Sequence, residues 1–291
     1  MCFSAMARET VTIIYGFSAA DGAANYARTL VEQANRIRDR YTFIFDVRPG
    51  AGQTVAVNYV KTTPNTVFMA SGGAYWIRPN FYPRESYDPN DMRTIMTQCR
   101  VPFAVSSGRY NSWSAVPHDG ALTIGTSGLG VTSHLIALEI QKQYPNARII
   151  PFKSTTDAIL AAAGQQIDFA VGFVSEISVY SRAEVRNRLY ILGITGSHRI
   201  DQYSTLGQQG FGTVLNQLVS PYNLMVPKSF PEAKAKEIRE ILVQAERSSL
   251  VRDSYKSDYC EPFQVEAQDL EQWQVNQNTY WSNLTKGVRL E

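Results

Sequence analysis

The chain has 291 residues, 44% of them hydrophobic and 19% charged, a composition that excludes a disordered polymer and leaves room for one large domain or two lobes. Its 28 Lys and Arg nearly balance 26 Asp and Glu, for a formal net charge of +2, with no basic stripe to neutralise phosphates, so no nucleic-acid partner is expected. No apolar run reaches the ~20 residues of a membrane span.

At the start, Ala5-Met6-Ala7 has the small-x-small form of a signal-peptidase site, but no charged and apolar regions precede it. It reads either as a chance Ala-rich start or as the remnant of a removed secretion signal. Thr10 to Phe17 is a short β-rich apolar run, broken at Ser18-Ala19-Ala20-Asp21-Gly22. The spacing of Tyr26, Leu30, Ala34 and Ile37 predicts an amphipathic helix from Ala23 to about Arg38. A second strand, Thr42 to Val47, ends in Arg48-Pro49-Gly50-Ala51-Gly52 before a helix near Thr54. A third, Val67 to Ala70, ends at Ser71-Gly72-Gly73. Strand, small-residue turn and helix in alternation predict a parallel sheet with crossover helices.

The pattern then restarts. Leu122 to Gly125 reads as a strand, Thr126-Ser127-Gly128-Leu129-Gly130 as a turn and Val131 to Gln143 as a helix. Arg148 to Phe152 is a strand, and Thr155 to Ala163 a helix with Thr155 or Thr156 as its N-cap. Strands follow at Asp168 to Phe173 and Leu189 to Thr195. The C-terminal part is helical from Pro231 to Ser248 and from Asp269 to Leu284, with Leu270, Trp273, Gln277 and Trp281 on one face. Two α/β lobes are therefore expected, with crossovers near Phe103 to Ser107 and Ser220 to Val226 and a ligand crevice outside the strand ends.

A helix start leaves N–H groups unsatisfied and carries partial positive charge, so it attracts carboxylate or phosphate. Ser18 to Gly22 and Thr126 to Gly130 are two such turns, one per lobe, able to clamp a dicarboxylate; small residues also simply make tight connections. Tyr15, Phe17, Tyr75 and Trp76 flank these turns as pocket lining or as core. Cys2, Cys99 and Cys260 lack C-x-x-C spacing, which disfavours a zinc or redox motif; the latter two are buried thiols or a single disulfide. No Walker loop, H-E-x-x-H or G-x-S-x-G is present. A hydrolase using Ser127 with His134, the other histidines being His118 and His198, is the rival class, and no specific motif supports it. No enzyme activity, cofactor or metal is expected.

Val47-Arg48-Pro49-Gly50-Ala51-Gly52 resembles the N-R-P-G-A-G-G segment of the substrate-binding proteins of tripartite tricarboxylate transporters, the Bug receptor family. The likeness continues through Pro64 to Phe68, Tyr87 to Asp91, Gly128 to Glu139 with Ser133-His134-Leu135, Pro151 to Ser154, Gly164 to Asp168, Leu192 to Thr195 with Arg199, and Glu271 to Trp281. The order and spacing of these pieces carry it. The resemblance implies a type II periplasmic-binding-protein fold, a two-lobed Venus flytrap with each lobe a sheet flanked by helices. Lobe one would span 8–104 with 224–291 and lobe two 105–223. It implies a periplasmic, monomeric solute receptor capturing a mono-, di- or tricarboxylate for membrane permease subunits; a receptor of the same fold serving signalling or another assembly is the alternative. The ligand residues implied are Phe17, Ser18, Ala19, Ala20, Asp21 and Gly22; Ser71, Gly72 and Gly73; Thr126, Ser127, Gly128, Gly130 and Thr132; Asp168, Phe173 and Thr195. One departure bears on the ligand: Ala24 stands where the family's P-G-G-x-x-D aspartate, which can meet an amino group, is expected, and Asp21 lies inside the loop instead. That departure argues against an amino-acid ligand, and a carboxylate at position 21 would repel an anion unless it points away.

Overall fold

The computed structural model describes residues 8–37, 40–84, 87–182 and 187–288. The small-x-small site and Cys2 lie outside them. In chain order the elements are β1 (Glu9–Tyr15), α1 (Gly22–Arg36), β2 (Tyr41–Val47), α2 (Thr54–Thr62), β3 (Thr66–Ser71), α3 (Gly72–Phe81) and β4 (Met92–Ser107). Next come β5 (Thr123–Thr126), α4 (Thr132–Gln141), β6 (Arg148–Pro151), α5 (Thr155–Ala163), β7 (Phe169–Phe173), α6 (Val174–Ser181) and β8 (Tyr190–Ile194). The chain closes with β9 (Val219–Pro227), α7 (Glu232–Glu246), α8 (Ser249–Ser257), β10 (Glu261–Pro262) and α9 (Leu270–Thr285).

Strands β2, β1 and β3 are parallel, as the strand–turn–helix rhythm predicts. Antiparallel β9 then joins them to β4. Strand β4 is the long member of the fold. Its first part pairs with β9 as far as Pro102 opposite Val219, and from Phe103 onward it pairs with β7 on one side and β8 on the other. Parallel β5 and β6 extend the second sheet beyond β7. The segment expected as a crossover, Phe103 to Ser107, is thus the continuation of one strand that serves both sheets, and the return begins at Val219.

The helices form for the reasons their spacing gives. Helix α1 buries Tyr26, Leu30 and Ala34 with Ala23, Ala27 and Val31, and Tyr26 sets its ring edge-on to Tyr222 of β9 and Tyr255 of α8. Helix α9 buries Leu270, Gln274 and Trp281, with Gln274 accepting from the Thr94 amide at 2.7 Å and donating to the Met92 carbonyl at 2.8 Å. This ties the last helix to β4 of the first sheet. The N-cap of α5 is Ser154 rather than Thr155 or Thr156: its side chain accepts from the Asp157 amide at 3.1 Å. Cys99 and Cys260 form a disulfide between β4 and the segment after α8, across 161 residues of chain.

Candidate functional site

A cavity of about 360 Å³ opens where the carboxyl ends of the parallel strands of both sheets face one another, within the size range of small-ligand sites. Its walls carry the N-cap residues of five helices: Asp21 before α1, Ser71 before α3, Val131 before α4, Ser154 before α5 and Phe173 before α6. Each helix start presents N–H groups that the helix cannot satisfy itself, so the cavity gathers five positive dipole ends. Lys153 adds a cation at the rim, and Thr132, Ser133 and Thr155 place hydroxyls beside the starts of α4 and α5.

The loops that make these walls are fixed locally. The Ser18 hydroxyl accepts from the Ala20 amide at 3.1 Å, and Arg28 donates to the Ala19 carbonyl at 2.8 Å. In the second loop the Ser127 amide and hydroxyl both engage Ser133 Oγ, at 3.2 and 3.0 Å. The third is Gly50–Gln53, four successive residues at positive φ, including Ala51 at 45° and Gln53 at 78°; side chains rarely adopt this region, and the neighbouring structure holds them there. Gln53 is buried and clips the loop to β3, accepting from the Ser71 amide at 2.9 Å and donating to its carbonyl at 3.0 Å. Gly16 completes the fit, since a Cβ there would lie 2.7 Å from Gln53 Cγ. Arg48, by contrast, stays off the cavity, stacked 4.2 Å over Tyr59 and paired with Asp46 at 3.1 Å.

Of the residues expected at the ligand, the cavity brings together Phe17, Ser18, Ala19, Asp21, Ser71, Ser127, Thr132 and Phe173. Several others lie elsewhere. Ala20 is exposed away from the lining. Gly22 lets α1 approach its neighbours: a Cβ would sit 2.7 Å from Asp258 Oδ1 and 3.1 Å from Ser175 Oγ. Gly72 and Gly73 play the same part against Pro221 and the Thr132 hydroxyl. Thr126 is buried and donates to the Gly128 carbonyl at 3.0 Å. Gly128 and Gly130 take φ of 116° and 67°, turn geometry that suits glycine. Asp168 faces away from the cleft and braces the second lobe, accepting from Arg109 at 3.1 Å and from the Thr123 amide and hydroxyl at 2.9 and 2.8 Å. The Thr195 hydroxyl accepts from the Phe103 amide at 2.9 Å.

Sequence reasoning missed Pro49 to Gly52, Phe103, Val131, Ser133 and the run Lys153, Ser154 and Thr155 as cavity lining. A larger cavity of about 740 Å³ lies on another face, lined by Arg100, Thr195, Trp273 and Tyr280 among others. No α-helix start lines it among the described residues, and it lacks the charge pattern that singles out the first.

Burial sets the acid–base character of the cleft. Asp21 is 5% exposed, and burial lifts its carboxyl to about 6 against the pull of the Tyr15 hydroxyl, which donates to Oδ2 at 3.1 Å, and of the Ser18 amide. Glu176, in the first turn of α6 behind Thr155, is lifted to about 8 by burial and then by the charge of Asp21; the Thr155 hydroxyl donates to its Oε1 at 3.2 Å. His134 is fully buried, which lowers it to about 4, and its Nδ1 accepts from the Gly130 amide at 3.4 Å. Ser127 bonds to Ser133 rather than to His134, so the nucleophile–base contact of a hydrolase is not made.

A family model described as the tripartite tricarboxylate transporter family receptor matches residues 27–290. No curated protein matches the sequence. Among solved structures, the periplasmic binding protein BugD superposes with a TM-score of 0.82 at 18% identity, covering 95% of this chain and 96% of that one. A protein of R. palustris solved with adipate gives the same four values, and MatC from Rhodopseudomonas palustris with bound malate gives 0.78 at 16%, covering 94% and 98%. At these identities the likeness establishes the two-lobed periplasmic-binding-protein fold. With a family match over nearly the whole chain, the protein belongs to the tripartite tricarboxylate transporter receptor family, whose members are substrate-binding receptors and not enzymes.

Proposed function

We propose that this protein is an extracytoplasmic solute receptor that closes its two lobes on a small organic carboxylate and delivers it, as a monomer, to permease subunits of a tripartite tricarboxylate-type transporter. The observation that carries this reading is the convergence of five helix starts and Lys153 on one cavity, which suits an anion held by charge-assisted hydrogen bonds. The first lobe supplies Ser18, Ala19 and Ser71; the second supplies Ser127, Thr132, Ser133 and Thr155. We take the hinge to run through β4 at Pro102–Phe103 and through the entry to β9 at Val219, close to the division expected at 104 and 224. Relatives of the same fold solved with adipate and malate support the ligand class, and the family is periplasmic.

A thermal-shift screen of mono-, di- and tricarboxylates against neutral sugars and polyamines tests the reading. A carboxylate at a hundred times its Kd should raise the unfolding free energy by about 2.7 kcal/mol through mass action. Stabilisation by the sugars or polyamines alone would overturn the proposal.

A further inference from the structure

Three carboxylates gather where helices of the two sheets touch beside the cavity. Gly22 opens α1, and a Cβ there would lie 2.7 Å from Asp258 Oδ1 at the end of α8 and 3.1 Å from Ser175 Oγ in the first turn of α6. Helices α1 and α8 pack together beside the first sheet and α6 packs on the second. The chain neighbours of Gly22 and Ser175 are Asp21 and Glu176, and each leaves one oxygen, Oδ1 and Oε2, buried without a hydrogen-bond partner among the described residues. Their other oxygens accept from neutral donors, the Tyr15 hydroxyl at 3.1 Å and the Thr155 hydroxyl at 3.2 Å. No ion pair among the described residues reaches Asp21, Glu176 or Asp258. Arg28 of α1 donates to the Ala19 carbonyl and to Asn25, Lys256 of α8 pairs with Asp253, and Lys153 lines the cavity without pairing to any of the three. Asp157 of α5 is exposed, and Tyr15, Tyr26 and Tyr222, which face the cluster, are themselves held neutral by burial. Like charges packed together out of water are costly unless a cation or a proton neutralises them.

We infer that closing the two lobes takes up a proton, held among Asp21, Asp258 and Glu176, so that ligand capture weakens as pH rises. This rests on the carboxylate-receptor reading and adds its regulation. Opening the cleft parts Glu176 from the two acids of the first lobe and admits water to all three, which returns them toward ordinary carboxylate behaviour. In the closed form burial lifts Asp21 and Asp258 to about 6, and burial followed by the charge of Asp21 lifts Glu176 to about 8. A raised acid favours the closed form below its raised value and ceases to do so as pH climbs through it. With Glu176 at about 8 when closed and near 4.5 when exposed, the closed form binds about one more proton than the open form at pH 7. The same proton lessens the repulsion between this acidic cluster and an anion in the cavity.

Calorimetric titration of the wild-type protein with propionate, succinate, adipate and citrate tests it, the tightest binder being carried forward. At pH 7, in two buffers of different ionisation heat and after correction for the ligand's own protons, binding should take up about one proton. Its Kd should weaken about tenfold between pH 7 and pH 9. In Glu176→Gln, which keeps an acceptor for Thr155 and cannot ionise, the uptake should fall by more than half and Kd should stay nearly level across that range. Should the variant fail to fold, the wild-type heats decide alone. Wild-type binding with no proton uptake and a constant Kd would overturn this inference and leave the carboxylate reading standing. An uptake undiminished in Glu176→Gln would equally overturn the assignment to this cluster. Failure of all four compounds to bind would overturn both.

Discussion

Glu246 ends α7 with 4% of its surface exposed, accepting from the Tyr255 hydroxyl and the Gln264 side-chain amide. Burial outweighs these two donors and the charge of Arg252 and lifts its carboxyl from 4.5 to about 7. An acid whose folded pKa is raised contributes stability that is fully present below its unfolded pKa and is lost as pH rises through the folded one. Between pH 4 and pH 8 the shift corresponds to a loss of about 3 kcal/mol. Glu246→Gln keeps an acceptor for Tyr255, and a turn of the Gln264 amide restores the second bond, while removing the ionisation. Urea denaturation of both proteins across this range should show the variant gaining on the wild type by about 3 kcal/mol as pH rises. The shared titrations of Asp21, Glu176 and Asp258 cancel in the difference. A difference in unfolding free energy that stays constant with pH would refute the reasoning.

Three further outcomes follow from the same geometry. The Cys99–Cys260 bridge closes a 161-residue loop, which the chain-entropy model values at about 5 kcal/mol; replacing both cysteines with alanine should lower Tm by about 10 °C, and an unchanged melting curve would contradict the bridge's role. Gly73→Ala drives a methyl onto the Thr132 hydroxyl where the starts of α3 and α4 meet; it should cost about 1–3 kcal/mol of stability and weaken ligand binding in titration by holding the lobes apart. Asp168→Ala strips the Thr123 amide and hydroxyl of their acceptor and leaves Arg109 only the Gln165 carbonyl; it should destabilise by about 1–3 kcal/mol, with Kd for the ligand unchanged once the protein is folded.

How much of this was readable beforehand depends on how local the cause was. The Ser18 to Gly22 and Thr126 to Gly130 turns stood out because small residues between a strand and a helix mark a backbone a ligand can approach, and six of those ten positions lie outside the cavity lining, among them Gly22, which is placed by close packing against Asp258 and Ser175 that spacing does not encode. The run Lys153, Ser154 and Thr155 obeys the same rule at the end of β6 and was legible in principle; the expected cap, Thr155 or Thr156, falls inside α5, one or two residues past its N-cap Ser154. Residues 92–102 of β4 escaped because Thr94, Thr97 and Gln98 are buried polar positions that break a strand's apolar pattern, and their partners, Gln274 and Val265 for the two threonines, lie about 170 residues or more away. Glu176 gave no signal at all: only the fold brings it to the back of Thr155 and near Asp21. The pairing of Cys99 with Cys260 was one of two open readings, because proximity across 161 residues is a tertiary fact.

The claim on which the rest stands is that the ligand sits among the converging helix starts, between the lobes. Ala19 lines that cavity and is exposed, so a tryptophan there fills the space without disturbing buried packing. Calorimetric titration of Ala19→Trp with the carboxylate that binds the wild type best is the most direct measurement. The account predicts an unchanged melting temperature in the absence of ligand and no detectable binding heat; wild-type affinity in the variant would contradict it.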